Sequence, residues 1–316
     1  SLLFFYLFFS MYTVPFTALM AEIGHDPRDR MRLSTANSVA GGGGMLVGST
    51  VFLTQKLLEN RGFSPVFAFQ LTICGFSALA FLAMLVPVFF FNEKKFAAQS
   101  TAAPRLRDSL ARVFSNRDFR WFVVGDFMYW LALTFIQTGV GYYVSLLFGF
   151  EKSRATEFLA VAAVGSFLLY PAVIFAVGRF GKKQVLLAAF WSFSALFALV
   201  SMVGRLPFSQ NLLFIGLALA AAFPLSAFGI IPMALISDVI FEEEKRHGQQ
   251  LAGMFFAARA FTMKVAISLA NLIFPSLLLL GKSPENPFGV RASAVFAAVF
   301  CLFGGYFFKK TWKAGG

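Results

Sequence analysis

NLLFIGLALAAAFPLSAFGIIPMALI, residues 211–236, contains no charged side chain. At 1.5 Å of rise per residue, about 20 such residues cross the ~30 Å hydrocarbon core of a bilayer as a helix. Lipid offers the backbone no hydrogen-bond partner, so a crossing segment must pair its own N–H and C=O groups. Runs of the same kind recur along the chain. Nine spans are predicted, at 1–21, 34–54, 66–91, 119–148, 156–178, 185–203, 211–236, 249–280 and 293–308. The alternating ten-residue segments of a membrane β-barrel are not visible. The expected fold class is therefore all-α, a polytopic membrane helix bundle.

The whole composition agrees. Of 316 residues, 58% are hydrophobic and 13% charged, with 44 Phe. A soluble domain is about 45–50% apolar and about 25% charged, so this chain has too little polar surface to cover a water-facing globule. The net charge of +12 does not signal nucleic acid, because the 27 Lys and Arg are dispersed among short loops between apolar runs. They sort by alternate loops. Those after spans one, three, five and seven, with their flanks and the C-terminal tail, hold eighteen; the other four hold seven. The basic-rich set is expected in the cytoplasm, with the C-terminus (KKTWKAGG) on that side. Cys74 and Cys301 lie in separate apolar runs and read as buried small hydrophobes. No zinc signature, nucleophile elbow or nucleotide loop is found, so no enzyme activity, cofactor or metal site is expected.

Residues 92–118 form the longest loop. Within it Leu106, Leu110, Val113 and Phe114 share one helical face, flanked by Arg105, Arg107, Arg112 and Arg117. This is either a short helix on the anionic inner leaflet or a solvated linker. Shifting the chain by 216 residues aligns Ala18-Leu19 with Ala234-Leu235, Glu22 with Asp238 and Arg30 with Arg246. The two copies lie six spans apart, the plan of a transporter superfamily built from two parallel six-helix halves. On that plan of twelve spans, with nine predicted here, three spans are expected to precede Ser1. The expected organisation is then 1–91 for the last three helices of the first half, 92–118 for a central cytoplasmic loop, and 119–316 for the second half.

Arg259 and Lys264 sit within GMFFAARAFTMKVAISLANLIF. A cation at the centre of a lone helix costs about 2.5–3.5 kcal/mol on insertion scales. Such residues face a cavity or a partner, snorkel to an interface, or form an ion pair. Asp126 lies in FRWFVVGDFMYWLALTFIQTGVGYYV, with Tyr129 and Trp130 on its face one turn on, and Gln137, Thr138 and Tyr142 beyond. Rings beside hydrogen-bonding groups suit a sugar; an interfacial aromatic belt and an Asp paired with a neighbouring helix are the alternatives. Gly44 and Gly48 have the spacing of close helix packing. Pro224, Gly229 and Pro232 are expected to interrupt one helix, as at some transporter sites.

GRFGKK at 178–183 resembles the basic loop after the second helix of each half in major facilitator proteins. PFTALMAEIGHDPRDRMRL at 15–33, SDVIFEEEKRHGQQLAGMFFAARAFTMKVAISLA at 237–270 and NRDFRWFVVGDFMYWLALTFIQTGVGYYV at 116–144 are similar to the glycoside–pentoside–hexuronide:cation symporter family, over nearly the whole chain and aligned to its helices four to twelve. The resemblance implies the twelve-helix major facilitator fold, nine spans of which are present here. It also implies alternating access and uptake of a sugar or glycoside with sodium or a proton. Lys264 matches the family's lysine near the coupling site. Arg259 falls close to the sugar site, where the best-known member is uncharged. Thr13 falls where that member carries a cation-linked acid, and Ser38, beside Asn37, falls where it carries an arginine.

The resulting expectation is a cation-coupled symporter in the plasma (inner) membrane. Asp126, Tyr129, Trp130, Arg259, Lys264 and Asn37 are expected to contact substrate, and Lys264 and Thr13 to serve coupling. Asp26, Arg28, Arg30, Asp238, Glu242 and Arg246 are expected to gate. The partners are a small solute and the bilayer, with the protein a monomer. Arg259 further suggests an anionic substrate such as a hexuronide. A sodium-coupled lysolipid transporter of a related branch, or a non-transporting sensor of the same fold, would share most of these motifs.

Overall fold

The structure is a computed structural model and describes residues 4, 8–9, 11–13, 15–17, 26–90, 106–151, 154–205, 207–247 and 251–310. The helices in chain order are α1 (Pro27–Ser49), α2 (Val51–Glu59), α3 (Pro65–Phe90), α4 (Leu106–Ser115), α5 (Arg117–Tyr142), α6 (Arg154–Phe180), α7 (Lys182–Met202), α8 (Gln210–His247), α9 (Ala252–Leu278) and α10 (Phe288–Lys309). A π-helical turn, Tyr143–Leu147, extends α5. There is no strand among the described residues. Among the described residues, seven helices are long and apolar enough to cross a membrane: α3 and α5 to α10.

Two departures from the sequence reading stand out. The predicted span 34–54 is instead α1 followed by α2. Most of α1's length is glycine, serine and a first turn bearing Arg28, Asp29 and Arg30, so it lacks the apolarity of the other spans. The predicted first span lies mostly outside the described residues. The expected break at Pro224 and Pro232 is also absent, since α8 runs through both as one helix of 38 residues. Membrane helices keep internal prolines when neighbours serve the freed backbone groups.

By contacts the chain forms two compact units, residues 35–101 and residues 1–34 with 102–316. In the smaller unit α2 packs on α3. An added Cβ at Gly44 or Gly48 meets nothing within 4 Å among the described residues, so these glycines show no close helix approach here.

In the larger unit α10 packs against α5 and α7, α9 against α5, and α8 against α6 and α7. Local signals start and stop these helices. The Asn116 side chain accepts the Phe119 N–H at 2.9 Å and caps α5. Gly181, at φ 85°, makes the left-handed turn between α6 and α7 that a side chain would resist. Phenylalanine fills the interior, with Phe119, Phe135, Phe190, Phe193, Phe197, Phe255 and Phe274 almost fully buried.

Small residues let the helices approach. A Cβ on Gly304 of α10 would stand 2.5 Å from the Phe190 ring of α7 and 3.2 Å from Met128 Cβ of α5. Gly304→Ala is accordingly expected to cost about 1–3 kcal/mol by overpacking. Gly216→Ala, where the added methyl meets nothing within 4 Å, is expected to be neutral or mildly stabilising. Thermal unfolding of both variants in detergent checks the pair.

Candidate functional site

Two in-span charges of opposite sign meet inside the larger unit. Asp126 lies about 13 Å along α5 from its start, and Arg259 about 10 Å along α9, at 1.5 Å per residue. Arg259 Nε donates to Asp126 Oδ2 at 3.0 Å, and Nη2 to Oδ1 at 3.0 Å. This is the two-pronged Arg–carboxylate pairing, which adds geometric specificity to charge-assisted bonds. Side-chain exposure is 14% for Arg259 and 3% for Asp126. Both carboxylate oxygens are thus committed to one guanidinium. The other edge of that guanidinium has a poorer partner: Nη1 donates to the Met233 sulfur of α8 at 3.1 Å, and a thioether is a weak acceptor. The Phe122 ring lies 5.7 Å from the guanidinium carbon.

The polar stripe of α5 divides as it is followed away from the pair. Tyr129 is buried and stacks on Phe228 at 3.9 Å. Half-buried Trp130 meets Tyr129 edge-on at 5.5 Å, and its indole N–H is buried without a hydrogen-bond partner among the described residues. Thr134 and Thr138 turn their hydroxyls back onto the carbonyls of Trp130 and Thr134. Gln137 and Thr138 are exposed.

Lys264, Asn37 and Thr13 are the remaining candidates. Lys264 is exposed and five residues beyond Arg259, a rotation of about 140° at 3.6 residues per turn. The two cations therefore occupy different faces of α9. Asn37 is half-buried in the smaller unit. The Thr13 hydroxyl donates to the Phe9 carbonyl at 2.8 Å.

A second charged cluster lies where α5 and α7 begin and α8 ends. Asp238 of α8 is gripped from both sides: Arg30 Nε donates to Oδ1 at 2.6 Å and Lys182 Nζ to Oδ2 at 2.5 Å. The Arg30 guanidinium also stands 4.6 Å over the Phe241 ring. Of the expected gating set, Arg30 and Asp238 are brought together. Asp26 and Arg28 are exposed. Arg246 reaches Glu242 of its own helix at 3.5 Å, a surface pair of the kind worth little. Just beyond, Asn116 Nδ2 donates to Glu243 Oε2 at 2.8 Å, and the Leu251 N–H donates to Glu244 Oε1 at 3.1 Å. The end of α8 thereby holds the starts of α5 and α9, the two helices that carry Asp126 and Arg259.

Sequence reasoning singled out neither Lys182 nor Asn116 nor Met233. Lys182 belongs to the GRFGKK loop, and Asn116 is a cap residue opening NRDF; both signals were present, but their partners lie 56 and 127 residues away. His, Cys, Asp and Glu form no metal-holding group among the described residues.

Residues 1–303 match the family described as MFS/sugar transport protein. The chain belongs to that family. It is 24% identical over 304 residues to the inner membrane symporter YicJ of Escherichia coli K12, covering 94% of this chain and 63% of that relative. The chain thus spans less than two thirds of the length of the curated relative it matches. Among solved structures it is similar to a variant of the E. coli fucose:proton symporter FucP. The TM-score is 0.68 at 17% identity, over 95% of this chain and 73% of that one; this likeness shows the major facilitator fold. The chain is accordingly a multi-pass membrane protein of a sugar-transporter family.

Proposed function

We propose that the protein is a cation-coupled symporter that takes up a sugar or glycoside by alternating access in the inner membrane. The observation that carries this reading is the Asp126–Arg259 pair, a hydrogen-bonded charge pair held inside an apolar bundle of the major facilitator fold. Ionisable groups at membrane depth are costly, and they mark solute and ion pathways. Its relatives' descriptions, a symporter and a fucose:proton symporter, support the same reading. Substrate contacts come from Asp126, Tyr129, Trp130, Arg259, Lys264 and Asn37, and Lys264 and Thr13 serve coupling. The coupling ion is sodium or a proton, no further cofactor is needed, and the working unit is a monomer. With the basic loops in the cytoplasm, the Arg30–Asp238–Lys182 cluster closes the cytoplasmic side.

Uptake by the full-length protein in proteoliposomes tests this. The solutes are labelled neutral glycosides, pentoses and hexuronides, offered with and without an inward sodium or proton gradient. Accumulation of one sugar that collapses with one gradient is the expected result. Absence of gradient-dependent uptake of every sugar overturns the proposal.

A further inference from the structure

One face of α10 packs and the opposite face does not. Cys301, Gly304, Gly305 and Phe308 are buried, at the i, i+3, i+4, i+7 spacing of a single helical face. Half a turn round, Phe296, Phe303 and Lys310 follow one another at seven-residue intervals, and all three are exposed. Seven residues are close to two full turns, so the three stand in one line. At 1.5 Å per residue the line is about 21 Å long, apolar for most of its length and cationic at its end. Half of a bilayer of about 40–45 Å, headgroups included, has the same length.

The cationic end is held in place by rings. Lys310 Nζ lies 4.6 Å from the centre of the Tyr306 ring and 5.1 Å from that of Trp121 of α5. Trp121 in turn stacks on Phe307 at 5.8 Å. A ring face attracts an ammonium without accepting its N–H groups in ordinary hydrogen bonds, which leaves donors for an incoming anion. Arg117 stands one turn before Trp121 on α5, Lys309 precedes Lys310, and both are exposed. Among the described residues none of Arg117, Lys309 and Lys310 forms a salt bridge. Asp118, the acid in this turn of α5, has Lys183 of α7 as its electrostatic partner, and Lys309 bears on the same Lys183. The rim therefore carries more cations than its own acid answers.

We propose that this face of α10, with the start of α5, is a binding site for an anionic phospholipid, whose phosphate meets Lys310, Lys309 and Arg117 and whose acyl chain runs along Phe303 and Phe296. The inference does not depend on the symport reading. Charge complementarity decides the occupant. A zwitterionic lipid brings its own cation to a rim of unpaired cations, and that like charge opposes its binding; an anionic lipid brings the phosphate without it. Amphipathic rings at headgroup level and a cationic rim on lipid-facing helices both suit a lipid. A free phosphate would leave the phenylalanine line unused.

Native mass spectrometry of the purified full-length protein tests this, with titration of phosphatidylglycerol and of phosphatidylcholine bearing the same acyl chains. Tighter binding of phosphatidylglycerol is expected, with the preference weakened by salt. A lysine beside an anionic headgroup is worth about fivefold in affinity, so Lys310→Gln should weaken phosphatidylglycerol binding about fivefold and the double variant with Lys309→Gln about 25-fold. Binding of phosphatidylcholine should not change. Lys310→Arg should retain the affinity, because a guanidinium also stacks on rings. Lys282→Gln, in the loop before α10, should behave as the wild type. Equal affinity of the wild type for the two lipids overturns the proposal without recourse to any variant. An undiminished preference for phosphatidylglycerol in the double variant also overturns it. Displacement of the lipid by equimolar glycerol 3-phosphate would assign the rim to a free phosphate and overturn the lipid site.

Discussion

Asp126→Leu is expected to lower stability by about 3–5 kcal/mol, because it strands the Arg259 guanidinium in the bundle with no counter-charge. Asp126 is 3% exposed and Arg259 14%, so water reaches neither well enough to compensate. Arg259→Met alone should cost a comparable amount by leaving the carboxylate bare. The double substitution Asp126→Leu with Arg259→Met should recover most of the loss, since buried ion pairs are often replaced by apolar groups at little net cost. Thermal unfolding in detergent completes the double-mutant cycle. Equal and additive losses would show that the two side chains do not depend on one another, which is incompatible with the geometry. The double variant should also abolish transport, separating its role in function from its role in folding.

Asp238→Ala is expected to have the second large effect, and it acts on two cations at once. Arg30 is 4% exposed and Lys182 14%, and Asp238 bonds to both. Its loss leaves two like charges facing each other across the end of α8, again with a cost of about 3–5 kcal/mol. The consequence should be local before it is global. Ser34 lies one turn from Arg30, is fully buried, and donates to the Ile230 carbonyl. A cysteine placed at Ser34, in a background with exposed Cys74 replaced by serine, should react slowly with a maleimide in the parent protein. In Asp238→Ala it should react many times faster. An unchanged labelling rate would mean that Asp238 does not hold α1 against α8.

Much of this architecture was legible in the order of residues. The apolar runs that became α3 and α5 to α10 are long, nearly uncharged and separated by short loops, and the bilayer leaves such runs only one conformation. The stretch 34–54 is harder to read, because its low charge does not come with apolar side chains throughout. Glycine and serine are uncharged too, and that stretch is rich in them. Pro232 does not break α8: a proline leaves the carbonyl four residues before it without its helix donor, a loss that packed membrane bundles tolerate. At the site, Asp126 and Arg259 were both recognisable as charges in unlikely places. That they are each other's partners was not, because it depends on α9 packing against α5, a contact 133 residues apart in sequence. The helical period did contain one answer. Five residues separate Arg259 from Lys264, so the two were never going to serve one face.

That sequence separation has a consequence for biosynthesis. Ribosomes add about 5–20 residues per second, and the 133 residues between Asp126 and Arg259 take on the order of 10 s to emerge. For that interval α5 must reside in or beside the translocation machinery with an unanswered carboxylate. The apolar length that follows Asp126 in α5 has to hold the helix in the bilayer until its guanidinium arrives. A nascent chain arrested before α9 should therefore be the species most exposed to quality-control proteases.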